Sequence, residues 1–386
     1  SRSSAASDVY KRQVNVGKTC PLICGSTTSV RRSRENLMDG PEALSTVSKR
    51  MRCPYVTTAQ EPGSAAATDS SAPTLGDDYS GLRILAVHAH PDDESSKGAA
   101  TMAAYARRGA RVMVVSCTGG ERGSILNPAV EENPRAHWDL PGLRRREMAN
   151  AQAALGVEHR WLGFMDSGLP EGDPLPPLPW GCFATTPLER AAAPLIRVVR
   201  EFRPHVLLAY DENGGYPHPD HIMAHKVATE AWEASGDPRR YLGEGTPWEP
   251  SKLYYDMAFN TDRFLALHHA LEERGMDSPY AEFMARLAES EPEGAPPVSR
   301  HETTTQIPCG DYFEVRDAAL KSHTSQVDPT GFFFAVSTDF QREIWPYEDY
   351  VLAASRVESA LPEHSLDAGI DLPGTASGAG EGVSGQ

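Results

Sequence analysis

The sequence predicts an α/β fold: a Rossmann-like, mostly parallel sheet with helices on both faces. Three observations carry the prediction. From residue 82 onward, short apolar runs alternate with stretches of helical period, the pattern of strands joined by crossover helices. The runs RILAVH and RVMVVSC are apolar almost throughout instead of alternating with polar residues, as expected of strands covered on both faces. Two clusters of ionisable residues follow strand ends, where open α/β sheets bind ligands.

Taken in order, 83–88 reads as a buried strand, 97–108 as an Ala-rich helix, and 111–117 as a Val-rich strand. A helix at 143–155, a strand around 160–164, a helix at 188–202 and a strand at 205–210 follow. A helix from about 221 to 234 and a strand at 252–259 continue the alternation. Pro-rich loops at 168–180 and 237–250 are long enough to shape a binding site. A helical region spans 261–289, an acidic linker runs to about 299, and a last segment ends near 358. Three parts are expected: a disordered or non-native extension over 1–79, a catalytic domain over 80–358, and a flexible Gly- and Ser-rich tail over 359–386.

Composition narrows the function. Net charge is −16. The first 60 residues carry +6 and the remainder −22, so the body offers no basic face for nucleic acid. No apolar run approaches the roughly 18 residues of a membrane span. The six cysteines (Cys20, Cys24, Cys53, Cys117, Cys182 and Cys309) are too sparse for a disulfide framework. The spacing of Cys20, Cys24 and Cys53 lacks the paired pattern of a zinc cluster. A cytoplasmic protein with reduced thiols acting on a small molecule is expected.

The chemistry lies in two clusters, His90-Pro91-Asp92-Asp93-Glu94 and Tyr216-Pro217-His218-Pro219-Asp220-His221. Imidazole nitrogen and carboxylate oxygen suit Zn²⁺, and a catalytic site needs three protein ligands with one position open. His90 and Asp93, three apart at a tight turn, can face one ion, and His221 would complete the set. Asp92 is then free to take a proton from an attacking water. His218 is expected as a cation on the far side of the scissile carbonyl, with Asp220 holding its ring. Fe²⁺ fits the same ligands. Taken singly, each of these residues also reads as a surface or capping residue; packing alone has no use for so many ionisable groups at equivalent strand ends. Cys117 has no assigned base, Ser95 and Ser96 read as caps, and Thr118-Gly119-Gly120 lacks the Lys of a phosphate loop.

Ala89-His90-Pro91-Asp92-Asp93-Glu94 with His218-Pro219-Asp220-His221 resembles the LmbE-like, PIG-L zinc deacetylase family. The resemblance extends through Glu94-Ser95-Ser96-Lys97-Gly98-Ala99-Ala100-Thr101 and Thr118-Gly119-Gly120-Glu121-Arg122-Gly123-Ser124. It continues at Val315-Arg316-Asp317-Ala318-Ala319-Leu320-Lys321 and Ser325-Gln326-Val327-Asp328-Pro329, and spans roughly residues 82–357. It implies an LmbE-like fold with His90, Asp93 and His221 as zinc ligands and Asp92 as general base. His218 with its partner Asp220 would stabilise the oxyanion or protonate the leaving amine, beside a hydroxyl from Tyr216. Arg144 and Asp166 fall at positions resembling a sugar-binding pair, or else are a helix charge and a turn residue. Lys97 either contacts a sugar or amide oxygen or is a solvated helix lysine. His323 either lines the pocket or sits on a helix surface. The implied activity is hydrolysis of a mycothiol S-conjugate to an N-acetylcysteine conjugate and glucosaminyl-inositol. The rivals are de-N-acetylation of N-acetylglucosaminyl-inositol or another N-acetyl sugar, and a non-catalytic sugar- or metal-binding module.

Overall fold

In a computed structural model, which describes residues 73–281, 284 and 301–372, β1 (Arg83–His88) lies in mid-sheet. All but its first residue are buried, which only a central strand allows. β2 (Arg111–Thr118), β3 (Glu158–Phe164), β4 (Val206–Ala209), β5 (Lys252–Asp256), β6 (Thr305–Pro308) and β7 (Tyr347–Ser355) complete the sheet. Their order is β3-β2-β1-β4-β5-β7-β6. β1 to β5 pair in parallel, with Ile84 opposite Val112 on one side and Val206 on the other. β7 runs antiparallel to β5 and β6.

Alternate residues of β1 serve two cores. Ile84 and Ala86 pack into one with α2 (Ala99–Arg107), α3 (Leu140–Leu155) and α7 (Phe313–Ser322). Leu85 and Val87 join the other with α4 (Leu188–Phe202) and α5 (Pro219–Ala234). Three further helices are α1 (Asp93–Ser96), a single turn after β1, α6 (Thr261–Glu273) and α8 (Thr338–Ile344). α3 starts where the Asp139 carboxylate accepts the Gly142 N–H and stops at Gly156 in the left-handed region. Its buried stripe includes two charged residues, Arg144 and Glu147, three apart on one face. Both turn out to brace the site.

The strands expected up to 259 and the helices expected at 97–108, 143–155, 188–202 and 221–234 are found within a few residues of those bounds, but the helix expected over 261–289 ends at Glu273, and β6 and β7 were not anticipated. Two boundaries move. Leu75 and Tyr79 pack into the first core, so the folded part starts before residue 80. The tail expected to be flexible from 359 is pinned down at least to Leu372. Glu363 is buried and accepts bonds from Lys252 Nζ (2.5 Å) and Tyr254 Oη (2.6 Å), and Leu366 is fully buried. Residues 1–72 of the expected extension, the linker near 299 and the end from 373 lie outside the described residues. Among the described residues no helix is long and apolar enough to cross a membrane.

Candidate metal centre

β1 and β4 are neighbours, while β2 and β3 extend from one side of β1 and β5 from the other side of β4. The order of strands therefore reverses between them, and the crevice at their C-terminal ends is the place where such sheets bind ligands. β1 delivers 89–96 there and β4 delivers 210–221. The clusters separated in sequence thus share one site.

α5 begins at this crevice in an unusual way. His218 is its N-cap, with Nδ1 accepting the Asp220 N–H at 3.1 Å, and Pro219 occupies the first helical position, where no N–H is needed. The cap leaves the ring proton of a neutral His218 on Nε2. It also turns Asp220 away: its carboxylate accepts the N–H groups of Ser167 (2.8 Å) and Ala184 (3.1 Å) and faces His90 Nε2 at 3.4 Å. The expected His218–Asp220 side-chain pair is therefore corrected, since the carboxylate serves His90. The imidazolium expected of His218 is disfavoured. Burial, reinforced by His90 and His221, holds His218 well below the usual imidazole range.

Nitrogens of His90, His218 and His221 lie within 4.8 Å of one another, and atoms of His90, Asp166 and Asp220 form a second such group. Asp93 Oδ2 stands 3.6 Å from His90 Nδ1 and 3.4 Å from His221 Nε2. His221 donates from Nδ1 to Gly214 O at 2.9 Å, which fixes the tautomer with a lone pair on Nε2. That Nε2 is buried and has no hydrogen-bond partner. A buried acceptor without a donor is costly, and a divalent cation is what this atom fits. Charge agrees: burial opposes it, yet the carboxylates of Asp166, Asp220 and Asp93 hold His90 well above its usual pKa, a surplus of negative charge around one imidazole.

Neighbouring groups aim the carboxylates. Asp93 Oδ2 accepts from Tyr210 Oη (2.8 Å) and its own turn's His90 N–H (3.0 Å), and Oδ1 accepts from Lys97 Nζ (2.7 Å). Although burial opposes ionisation, His221 and Lys97 hold Asp93 well below the usual carboxylate range. Lys97 is thus buried and committed to Asp93, not solvated. Arg144 donates to Gly120 O and Pro91 O, both at 2.6 Å, and to Asp92 Oδ2 at 3.1 Å. Its guanidinium lies on glycine: a Cβ at Gly120 would stand 2.2 Å from Nη1. Asp166 accepts the N–H groups of Arg122 (2.9 Å) and Gly168 (2.7 Å), so it is a turn residue as well as a neighbour of His90.

A cleft of about 200 Å³ opens over these groups, lined by His90, Asp92, Lys97, Arg144, Asp166, Tyr216 and His218 among others. Of the two adjacent acidic side chains Asp92 is the more accessible, 27% against 6% for Asp93. Tyr216 packs its ring 4.5 Å from that of His221. His323 is in neither expected place: it is fully buried beneath the site, its Nε2 2.6 Å from Glu94 Oε1, and it does not line the cleft. Glu94, Tyr210, Glu147 and Gln326 were missed. The Asp-Asp-Glu run was a signal for Glu94; nothing local marked the others.

Fold and site together define a doubly wound α/β protein with a candidate cation-binding cluster at its switch point. Residues 85–232 match the model of the PIG-L family, GlcNAc-PI de-N-acetylase. Mycothiol S-conjugate amidase of Streptomyces coelicolor is 53% identical over 291 residues, covering 75% of this chain and 97% of that protein. The 1D-myo-inositol 2-acetamido-2-deoxy-alpha-D-glucopyranoside deacetylase of Streptomyces scabiei is 38% identical over 314 residues, covering 78% and 94%. The structure of N,N'-diacetylchitobiose deacetylase from Pyrococcus horikoshii matches with a TM-score of 0.46 at 17% identity, covering 69% and 82%. The chain belongs to the PIG-L, or LmbE-like, family.

Proposed function

We propose that this chain is a zinc-dependent amidase that hydrolyses the amide bond of mycothiol S-conjugates, releasing an N-acetylcysteine S-conjugate and glucosaminyl-inositol. The observation that carries the reading is the 53% identity to the Streptomyces coelicolor amidase over nearly its whole length, against 38% to the Streptomyces scabiei deacetylase. His90, Asp93 and His221 would hold the metal, with Fe²⁺ able to use the same donors. When bound, such an ion polarises a carbonyl and acidifies water to a pKa of about 7.

The chain's own residues then divide the work. Asp92, the accessible carboxylate on the cleft wall, takes the proton of the attacking water. Arg144 braces it from behind and keeps its Oδ2 in place. Neutral His218 donates from Nε2 to the developing oxyanion, and Tyr216 offers a second donor. Proton return to the departing amine falls to Asp92 once it is charged with one. Arg122, Gln326 and Asp166, on the cleft rim and wall, orient the hydroxyl-rich half of the substrate. Free buried Cys117, Cys182 and Cys309 agree with a reducing cytoplasm.

The test is amine release from a mycothiol S-conjugate and from N-acetylglucosaminyl-inositol, before and after chelation. The conjugate should be turned over at least about tenfold faster, with loss on chelation and recovery on adding zinc. Faster release from the acetylated sugar, or release that survives the chelator, would refute the assignment.

A further inference from the structure

The turn that presents Asp92 has a support the reaction does not touch. Asp92 holds φ +132° and ψ −26°, a state that residues with side chains keep only where their surroundings impose it. Its N–H donates to Glu94 Oε2 at 2.9 Å. Glu94 Oε1 accepts from Ser95 Oγ at 2.5 Å and lies 2.6 Å from His323 Nε2. Glu94 and His323 are both 0% exposed and neither lines the cleft, so neither meets substrate.

The twist at Asp92 has a purpose. Two consecutive carboxylates must point to different places, Asp92 to Arg144 and the cleft, Asp93 to His90, His221 and Tyr210. The segment carrying His323 is itself fixed: Ser325 N and Oγ each donate to Glu147 at 2.7 Å. Glu147 is one turn along α3 from Arg144, which grips Asp92 from the other side. A buried carboxylate–imidazole pair adds little stability over an apolar pair of equal size, but it can specify one conformation.

Resting on the reading of Asp92 as the base, we propose that Glu94 and His323 are positioning residues that hold the Asp92 backbone in its strained state and so aim its carboxylate at the cleft. They act through Asp92 alone. Turnover is measured in the zinc-loaded full chain for His323→Ala, His323→Gln, Glu94→Gln, Asp92→Asn and the double variant His323→Ala with Asp92→Asn, with bound zinc counted in each. His323→Ala should lower kcat about 30-fold, with KM within about twofold and zinc content unchanged. His323→Gln, which returns an N–H donor toward Glu94, should recover about tenfold of that loss, and Glu94→Gln, which keeps an acceptor for the Asp92 N–H, should lose less than His323→Ala. In the Asp92→Asn background the loss of His323 should cost less than about threefold, because the group it aims is already disabled. Additive losses, or a loss carried by KM or by zinc content, overturn the proposal. Full activity of Asp92→Asn would instead remove the base assignment, and the proposal with it. Should the Ala protein not fold, a loss of kcat in His323→Gln and Glu94→Gln that vanishes when each is combined with Asp92→Asn supports the proposal, and a loss that persists there overturns it.

Discussion

Gly120→Ala tests how tightly the floor beneath Arg144 is built. The new Cβ would stand 2.2 Å from Arg144 Nη1 and 2.4 Å from Cζ, far inside contact distance, and the guanidinium cannot yield without breaking its bonds to Gly120 O and Pro91 O. Hydrogen bonds from a charged donor contribute about 1.5–3 kcal/mol each. Placing Ala at φ +61° adds about 1 kcal/mol. Allowing for partial relaxation, the loss should be about 3–6 kcal/mol. At about 2 °C per kcal/mol for a domain of this size, Tm should fall by about 6–12 °C. Gly181→Ala is the control: it has φ +76° but nothing within 4 Å of its Cβ, so only the backbone cost of about 1 kcal/mol, or about 2 °C, should appear. Thermal unfolding of both proteins beside the parent gives the comparison. Amide turnover well below Tm should also fall about tenfold or more in Gly120→Ala, because Asp92 loses its brace. Equal Tm losses in the two variants would refute the view that Arg144 rests on this glycine.

Three further outcomes follow from the same geometry. His221→Ala and His90→Ala should lose bound zinc while Asp92→Asn keeps it; elemental analysis of dialysed protein decides this, and full occupancy in His221→Ala would remove His221 from the ligand set. Burial pushes the Asp256 carboxyl up to about 7, so its neutral form is favoured in the fold. The stability this group contributes is present below the unfolded carboxylate pKa near 4 and is lost as pH rises through about 7. The Tm advantage of Asp256→Asn over the parent should therefore be larger at pH 8 than at pH 5, with a ceiling of about 4 kcal/mol; a gap that shrinks toward pH 8 contradicts it. Glu363→Ala should cost about 3–5 kcal/mol by stranding the buried Lys252 ammonium, whereas Lys252→Met with Glu363→Leu should cost less, because no charge is left unpaired and only the Tyr254, Thr305 and Ser359 hydroxyls lose a partner; denaturant melts read both, and equal losses would argue against charge stranding as the cause.

The parallel half of the fold was legible because buried strands such as 83–88 are apolar on both faces, a pattern independent of their partners. β6 and β7 were not. TQIP and YEDYVLAAS mix polar and aromatic residues, and Glu348 and Asp349 are buried there only because α2 and other distant groups supply hydrogen bonds. Within the site, the meeting of the two clusters followed from strand-end logic. Orientation did not. Spacing placed Asp220 next to His218, but the backbone cap taken by the imidazole sent the carboxylate to His90 instead. Lys97 and His323 read as pocket-lining or surface groups because their partners, Asp93 Oδ1 and Glu94, are defined only once a turn or a distant segment is in place.

The link from His323 to the Asp92 turn gives biosynthesis an order. The proposed zinc donors are all present once residue 221 has been made, but the proposed general base would be locked only after residue 323. At about 5–20 residues per second, roughly 5–20 s of elongation separates the two. On that reading a growing polypeptide would stay inert until the C-terminal third docks, and hydrolytic power would arrive last.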